Sequence, residues 1–421
     1  MDILISDNVY LDKDLTFFTV SGDPGCDGYN VESVAVLEAI LKQPADMHLV
    51  IGDVVPTGRE HWFRQFESLI RRAARAPVFC LPGNHDRPDY SRHLGLANYH
   101  IRARNALIVC LDNSHWGFTD EAVAFLRETL AAFAPSVPHI FVAFHFPPPN
   151  QFSPNSTPAE KWGKVRDLLL PHKEKVKGIF AGHVHSAFSF SKDGFPVFVT
   201  GGGGAGLDPV ANTFFETNRH HMLQARLADG QWSFAAEAVL PGQNDPYADD
   251  AQATSIRAGL EESFSGECQA QQRYALFARR ADLLNQPGLA KLFRAAADSE
   301  LRHAEAMLFA LGGISGNLEN LADSIRREER EWKIDYLRRL KEAGASTASG
   351  QAELAYDCAI KAEKIHHALF EAALSALEKG EAFPVKRYFT CTRCGFTHEG
   401  DAPPSICPAC GTDHKRFAEV E

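Results

Sequence analysis

Gly178-Ile179-Phe180-Ala181-Gly182-His183-Val184-His185 is a short apolar run that ends in glycine and two histidines one residue apart. It reads as a buried strand, with side chains that bind metals placed where the strand gives way to a loop. Four more fragments end the same way: Gly22-Asp23-Pro24-Gly25, Gly52-Asp53, Gly83-Asn84-His85-Asp86 and Val142-Ala143-Phe144-His145. Strand-like runs cover 15–21, 48–52, 76–81, 106–112, 139–145, 178–182 and 196–200, and helical patterns at 31–41, 60–74 and 120–133 fall between them. This alternation predicts a layered α/β fold over residues 1–240. Sites in such folds are built on loops at the C-terminal strand edges.

One Gly-Asp pair marks any turn, and a single buried histidine is more often structural than ligating. Five such endings in series carry more weight. Carboxylate oxygen, amide oxygen and imidazole nitrogen together suit Fe, Mn or Zn at a hydrolytic site. Two metals there would activate water and clamp a phosphoryl group. The glycines are expected to let the backbone turn sharply enough for each donor to face the metal.

These fragments resemble the calcineurin-like metallophosphoesterase family over about residues 15–240. The resemblance implies a sandwich with a dinuclear centre: Asp53 bridging, Asn84, His145 and His183 on one metal, Asp23 and His185 on the other. His85 would serve the leaving oxygen, with Asp86 orienting it. Most of the family has Asp-x-His in the first motif, whereas here the third position is Gly25. Asp-x-Gly looks like the purple acid phosphatase branch, but that branch has Tyr three places after the second-motif Asp, where this chain has Pro56. One metal is thus a protein ligand short of either pattern, and Cys26, Asp27, Tyr29 or water fills the gap. Loops 147–157 and 201–209 are expected to line the pocket, for a phosphomono- or diester that the sequence does not name.

After a polar, turn-rich linker at 241–254, long Ala/Leu/Glu/Arg-rich segments follow at helical period over 255–380, broken at 285–288, 312–316 and 343–350. Four helices of bundle length are predicted. Glu300–His303 and Glu363–His366 each place Glu and His on one helix face, and Glu267, Glu328 and Glu331 add carboxylates from the other two helices. Any one glutamate in such helices is usually a solvated charge; the joint pattern is a carboxylate-bridged di-metal arrangement. Gly266-Glu267-Cys268-Gln269-Ala270, Tyr274, Phe277-Ala278, Glu300-Leu301-Arg302-His303-Ala304, Asn320-Leu321 and Tyr336 closely resemble rubrerythrin. That resemblance implies a non-haem di-iron centre reducing hydrogen peroxide, with Glu267, Glu300, His303, Glu328, Glu331, Glu363 and His366 on iron. Glu331 and His303 would respond to redox state, and Tyr274 and Tyr336 would position carboxylates and bound peroxide. Arg327 stands where the family usually has Gly, and the connection from His303 to Glu328 is short, which leaves the helix pairing between protomers open.

In the last segment, 381–421, Cys391-Thr392-Arg393-Cys394 and Cys407-Pro408-Ala409-Cys410 are two C-x-x-C knuckles, each followed by glycine. Four thiolates in tetrahedral array bind Zn or one Fe. The knuckles resemble rubredoxin, which implies a mononuclear Fe(Cys)4 centre, with zinc as the alternative, passing electrons from a donor reductase to the di-iron site of its own chain or of a neighbouring protomer.

Of nine cysteines, the other five (Cys26, Cys80, Cys110, Cys268, Cys358) are expected to be core thiols. The net charge of −11 is spread along the chain, with no basic stripe, which disfavours nucleic acid. No apolar run of about 18 residues suggests a membrane span, and the start lacks signal-peptide character, so a cytoplasmic location is expected. The leading reading is a di-iron peroxidase fused to a metal-dependent phosphoesterase, forming a homodimer or higher homo-oligomer through the bundle. Two alternatives stand beside it: a redox or oxygen sensor whose iron modules gate the phosphoesterase, and an N-terminal domain kept only for binding.

Overall fold

The computed structural model describes residues 4–240, 253–345 and 350–421; most of the linker expected at 241–254 and part of the break at 343–350 lie outside them. The chain forms two compact units, Met1–Gly313 and Ile314–Glu421.

The first unit contains a two-sheet sandwich. One sheet runs Gln231–Ala238, His221–Ala228, Phe17–Ser21, Met47–Ile51, Val78–Leu81, with the last three strands parallel. The other runs Val9–Leu11, Tyr99–Ala103, Ala106–Cys110, His139–Ala143, Val176–Ala181, Phe195–Thr200, Ala187–Lys192. Its central strands, from Ala106–Cys110 to Phe195–Thr200, are parallel. Such strands are covered on both faces and therefore read as continuous apolar runs. Between the sheets lies an aromatic core in which the Phe18 ring meets Phe141 edge-on at 5.3 Å and Phe180 at 5.8 Å. Helices Val31–Leu41 and Glu60–Ala73 cover one outer face through Leu37, Phe63 and Phe66. Helices Asp120–Phe133 and Ala159–Leu169 cover the other through Leu126, Trp162 and Val165.

Several strands stop before their expected ends, because the terminal Gly, Asp or His leaves the ladder to form the loop. Thus the strand expected at 139–145 is His139–Ala143, and that at 106–112 is Ala106–Cys110. The parallel strands carrying the five motifs point their C-terminal ends toward one group of loops, where the donor side chains gather.

The same unit ends in a helical hairpin, Ala253–Leu283 and Pro287–Ala310. Proline opens the second helix, where its missing N–H has no partner to lose. Buried Ala278, Ala281, Ala290, Ala297 and Ala304 let the helices approach closely, while Leu276, Phe277, Leu292 and Leu301 are exposed. In the second unit, Asn317–Arg330 passes through a π-helical turn, Glu331–Asp335, into Tyr336–Gly344, and Gly350–Glu378 packs against them. The tail pairs Tyr388–Cys391 with Thr397–Glu399 and Phe417–Glu419. It rests on helix Gly350–Glu378, where Ile365 packs on the cysteine cluster.

Cys80, Cys110 and Cys358 are buried as expected for core thiols, but Cys268 is exposed on its helix and Cys26 is half-buried. No helix among the described residues is long and apolar enough to cross a membrane.

Candidate metal centres

In the sandwich, Asp53, His145 and His183 place donor atoms within 4.8 Å of one another. Asn84 Oδ1 lies 3.1 Å from His145 Nε2, which is 3.3 Å from Asp53 Oδ2. Beside them His185 Nε2 faces Asp23 Oδ1 at 3.6 Å. Backbone carbonyls orient the rings: His145 Nδ1 meets Ile51 O at 3.1 Å and His185 Nδ1 meets Gly206 O at 2.6 Å. Each ring is thereby held with Nε2 toward the carboxylates, the arrangement in which imidazole binds a metal. His85 Nδ1 faces Pro56 O at 2.9 Å, and the His85 N–H donates to Asp53 Oδ1 at 2.8 Å. Asp86, expected to orient the His85 ring, instead accepts from the Val55 and Gly83 backbone N–H groups at 3.0 and 2.7 Å. It fixes the loop that carries the ring, while the Pro56 carbonyl partners the ring itself.

Asp23, Asp53 and His183 themselves adopt left-handed backbone, with φ of 61°, 50° and 66°. Several neighbouring glycines serve a different purpose from the turning expected of them: they make room. A Cβ on Gly83 would fall 2.1 Å from Asp53 Oδ1, and one on Gly182 2.8 Å from Asp23 Oδ2. Gly52 does both, with φ of 93° and a Cβ position 2.4 Å from His145 Nδ1.

The electrostatics describe donors crowded together. Burial pushes Asp23 and Asp86 above the usual carboxylate range. Burial would also raise Asp53, but His145 and the His85 N–H hold it at about 2. Burial lowers His183 to about 3, so its ring is neutral. His145 is raised to about 9 by Asp53 and Asp23 against the effect of burial. Asp23 Oδ1 and His183 Nε2 are buried with no hydrogen-bond partner. Buried polar atoms are normally satisfied, so orphaned donors on clustered carboxylates and imidazoles fit a bound cation.

Some supporting residues escaped the sequence reading. Asn113 Oδ1 accepts from the N–H groups of His145 and Phe146 at 2.9 and 3.0 Å, and its Nδ2 donates to Phe146 O and Thr157 Oγ1. It sits just past Ala106–Cys110, so its place at a strand end was the available signal. Asp208 Oδ2 accepts from the His185 N–H at 2.9 Å, which ties loop 201–209 to the site.

The helices carry two triads. Glu267, Glu300 and His303 gather in the first unit and Glu328, Glu363 and His366 in the second. His303 Nδ1 is 2.8 Å from Glu300 Oε2, and His366 Nδ1 is 2.8 Å from Glu363 Oε2. Glu300 raises the Glu267 pKa. Burial and Glu363 raise Glu328 to about 7, and Glu328 Oε2 is buried without a hydrogen-bond partner, 3.8 Å from His366 Nδ1. Carboxylates pressed together in this way again fit a cation. Glu331 lies in the π-turn and outside the triad, with Tyr336 beside its carboxylate; burial and Glu331 raise that phenol to about 12. Tyr274 lies against Phe277 and Phe293, at 6.3 and 6.4 Å.

In the tail the four cysteine sulfurs lie within 4.8 Å of one another, with Cys391–Cys410 at 3.8 Å and Cys394–Cys407 at 3.6 Å. Sulfurs about 2.3 Å from a tetrahedral metal are about 3.8 Å apart, so the cage has the right size. Gly395 and Gly411, at φ of 79° and 74°, close the knuckles by donating to Cys391 O and Cys407 O. The cage adjoins the second triad: His366 Nε2 lies 2.9 Å from Thr397 Oγ1.

The calcineurin-like phosphoesterase family profile matches residues 18–187. The rubrerythrin profile matches 259–374, and that of the rubrerythrin rubredoxin-like domain matches 389–418. Rubrerythrin-2 of Clostridium acetobutylicum is 29% identical over 172 residues, covering 38% of this chain and 92% of the relative. A rubrerythrin-family protein of Methanocaldococcus jannaschii is 30% identical over 186 residues, covering 38% of this chain and 89% of the relative. Among solved structures, a purple acid phosphatase from yellow lupin seeds superposes with a TM-score of 0.43 at 17% identity, covering 53% of this chain and 52% of that one.

Proposed function

Because this chain belongs to the rubrerythrin family and carries a calcineurin-like phosphoesterase domain ahead of the rubrerythrin segment, we propose that it is a bifunctional metalloenzyme. One activity reduces hydrogen peroxide at a di-iron centre fed by the tail, and the other hydrolyses a phosphomono- or diester. The observation that carries the first is the pair of Glu-Glu-His triads, with Thr397 of the cysteine-bearing tail hydrogen-bonded to His366.

Iron at the triads would supply the electrons that convert peroxide to water, and Fe(Cys)4 would relay them from a donor reductase. Glu267, Glu300, His303, Glu328, Glu331, Glu363 and His366 would hold the di-iron, and Cys391, Cys394, Cys407 and Cys410 the single iron. The chain's own contribution is orientation. Thr397 holds the His366 ring by Nε2, leaving Nδ1 toward Glu363, and Tyr336 steadies Glu331. Substituting Glu267 and His303 by Ala should abolish peroxide-dependent oxidation of the reduced cysteine centre, followed by its visible absorption. Unchanged turnover would refute the assignment.

In the N-terminal domain, Asp23, Asp53, Asn84, His145, His183 and His185 would hold one or two metals of the Fe, Mn or Zn type. Metal there would supply an activated water. His85, with Nδ1 fixed on the Pro56 carbonyl, keeps Nε2 for a proton to the leaving oxygen. Replacing His85 by Asn should lower hydrolysis of a generic phosphodiester by roughly 10²–10⁴. Hydrolysis by neither protein under any metal would overturn the catalytic reading of this domain, and a rate that changes in peroxide-treated protein would favour a sensor. The exposed Leu276, Phe277, Leu292 and Leu301 support assembly into a homo-oligomer, to be read by sedimentation.

A further inference from the structure

The N-terminal site lacks the histidine that the first motif of most phosphoesterases of this family carries, and the structure gives a steric reason. Gly25 is pressed against the chain that leaves Asp53: a Cβ there would fall 2.3 Å from Val54 O and 2.9 Å from the Tyr29 hydroxyl. Its N–H donates to Asp53 O at 3.1 Å, and its carbonyl accepts from Gly28 N–H at 2.9 Å. No side chain fits at position 25, so another residue or a solvent molecule must supply the missing donor.

Two of the three neighbouring candidates are engaged elsewhere. The Tyr29 hydroxyl donates to the Val54 carbonyl, and its ring stacks on Phe66. Asp27 Oδ2 accepts from the Gly206 N–H at 2.7 Å. Cys26 is different. Its sulfur lies within 4.8 Å of donor atoms of both Asp53 and His85, and Asp23, three residues before it, faces the His185 ring. Asp23 Oδ1 in turn is fully buried and has no hydrogen-bond partner.

We propose that Cys26 is a thiolate ligand of the first metal position, completing a set with Asp23, Asp53 and His185. The inference rests on the reading of this domain as a metal site. It also assigns a preference: one soft thiolate among hard donors favours Zn, Fe or Co over Mg or Ca. Any cation bound there masks the sulfur, since the thiolate lone pair that attacks an alkylating agent is the one that binds the metal.

The test uses the full chain, reduced and stripped by chelation, then reloaded with zinc alone. Iodoacetamide labelling is read peptide by peptide, with Asp53→Asn protein treated in the same way as the reference. Zinc should slow labelling of Cys26 about tenfold or more in the wild type and leave it unchanged in Asp53→Asn. In parallel, Cys26→Ser should bind zinc at the N-terminal site about 10–100-fold more weakly. In a separate reload with cobalt in place of zinc, Cys26→Ser should also lose the part of the thiolate-to-cobalt charge-transfer absorption that the four tail cysteines do not account for. Equal labelling of Cys26 with and without zinc, in protein whose N-terminal site is shown to be loaded by the metal count lost in Asp53→Asn, would overturn the thiolate assignment and leave the phosphoesterase reading standing. Identical metal counts in the wild type and Asp53→Asn would overturn both.

Discussion

Asp23, Asp53 and His183 hold left-handed backbone with full side chains attached, a conformation that costs on the order of 1–3 kcal/mol per residue. The sequence identifies these donors because Asp, Asn and His gather after apolar runs, but it assigns the bend to the glycines beside them. The sign of φ is set by what surrounds a residue, so the strain at the donors was not legible. Gly52 is the position where both constraints meet. Gly52→Ala should destabilise the protein by about 2–4 kcal/mol in urea unfolding, and an unchanged midpoint would contradict the clash with His145. A second residue sets a pH dependence. His48 is buried on Met47–Ile51, its Nδ1 2.7 Å from Thr19 Oγ1, and burial lowers its pKa from 6.5 to about 4. Between those values the unfolded chain binds a proton that the folded chain refuses. Its contribution is therefore complete above pH 6.5 and declines as pH falls toward 4. His48→Gln should flatten the acid side of the stability curve by up to about 3 kcal/mol; parallel curves would refute it.

Elements differ in how plainly the sequence announces them. The buried parallel strands are continuous apolar runs, and all seven expected strands are present. Val9–Leu11, Tyr99–Ala103, Ala187–Lys192, His221–Ala228 and Gln231–Ala238 have no counterpart among the expected runs. Gln231–Ala238 alternates exposed and half-buried positions at a sheet edge and so lacks the continuous run. The π-turn at Glu331–Asp335 has no sequence signal either, since a helix widens where packing requires it. One prediction belongs to this scale. Thr397, on a tail strand, holds a ring on helix Gly350–Glu378, so Thr397→Val should weaken iron retention at that triad by about tenfold. Its helical circular dichroism should be preserved. Iron retention equal to wild type would show that the ring needs no such support.

At the scale of the molecule, three kinds of stability operate. The sandwich has a large aromatic core, whereas the hairpin seam is built of alanines and leaves several leucines uncovered. The tail buries little beyond Phe389, Phe396, Ala409 and two of its cysteines; a segment this short does not support a core unaided. Removing its metal should therefore expose Lys386 and Arg387 to trypsin while the helices stay intact. Equal cleavage with and without metal would contradict this. The order of motifs made the fold class readable from the sequence. What the sequence could not supply was where the tail rests, because that contact joins His366 and Thr397, which are 31 residues apart, through a pair of ordinary side chains. The seat on its own helix has a consequence for kinetics. A relay tethered within one chain works at a rate that does not depend on how often molecules collide. Oxidation of the cysteine centre by peroxide should thus keep the same rate constant as the protein is diluted, whereas a relay between separate molecules would slow in proportion.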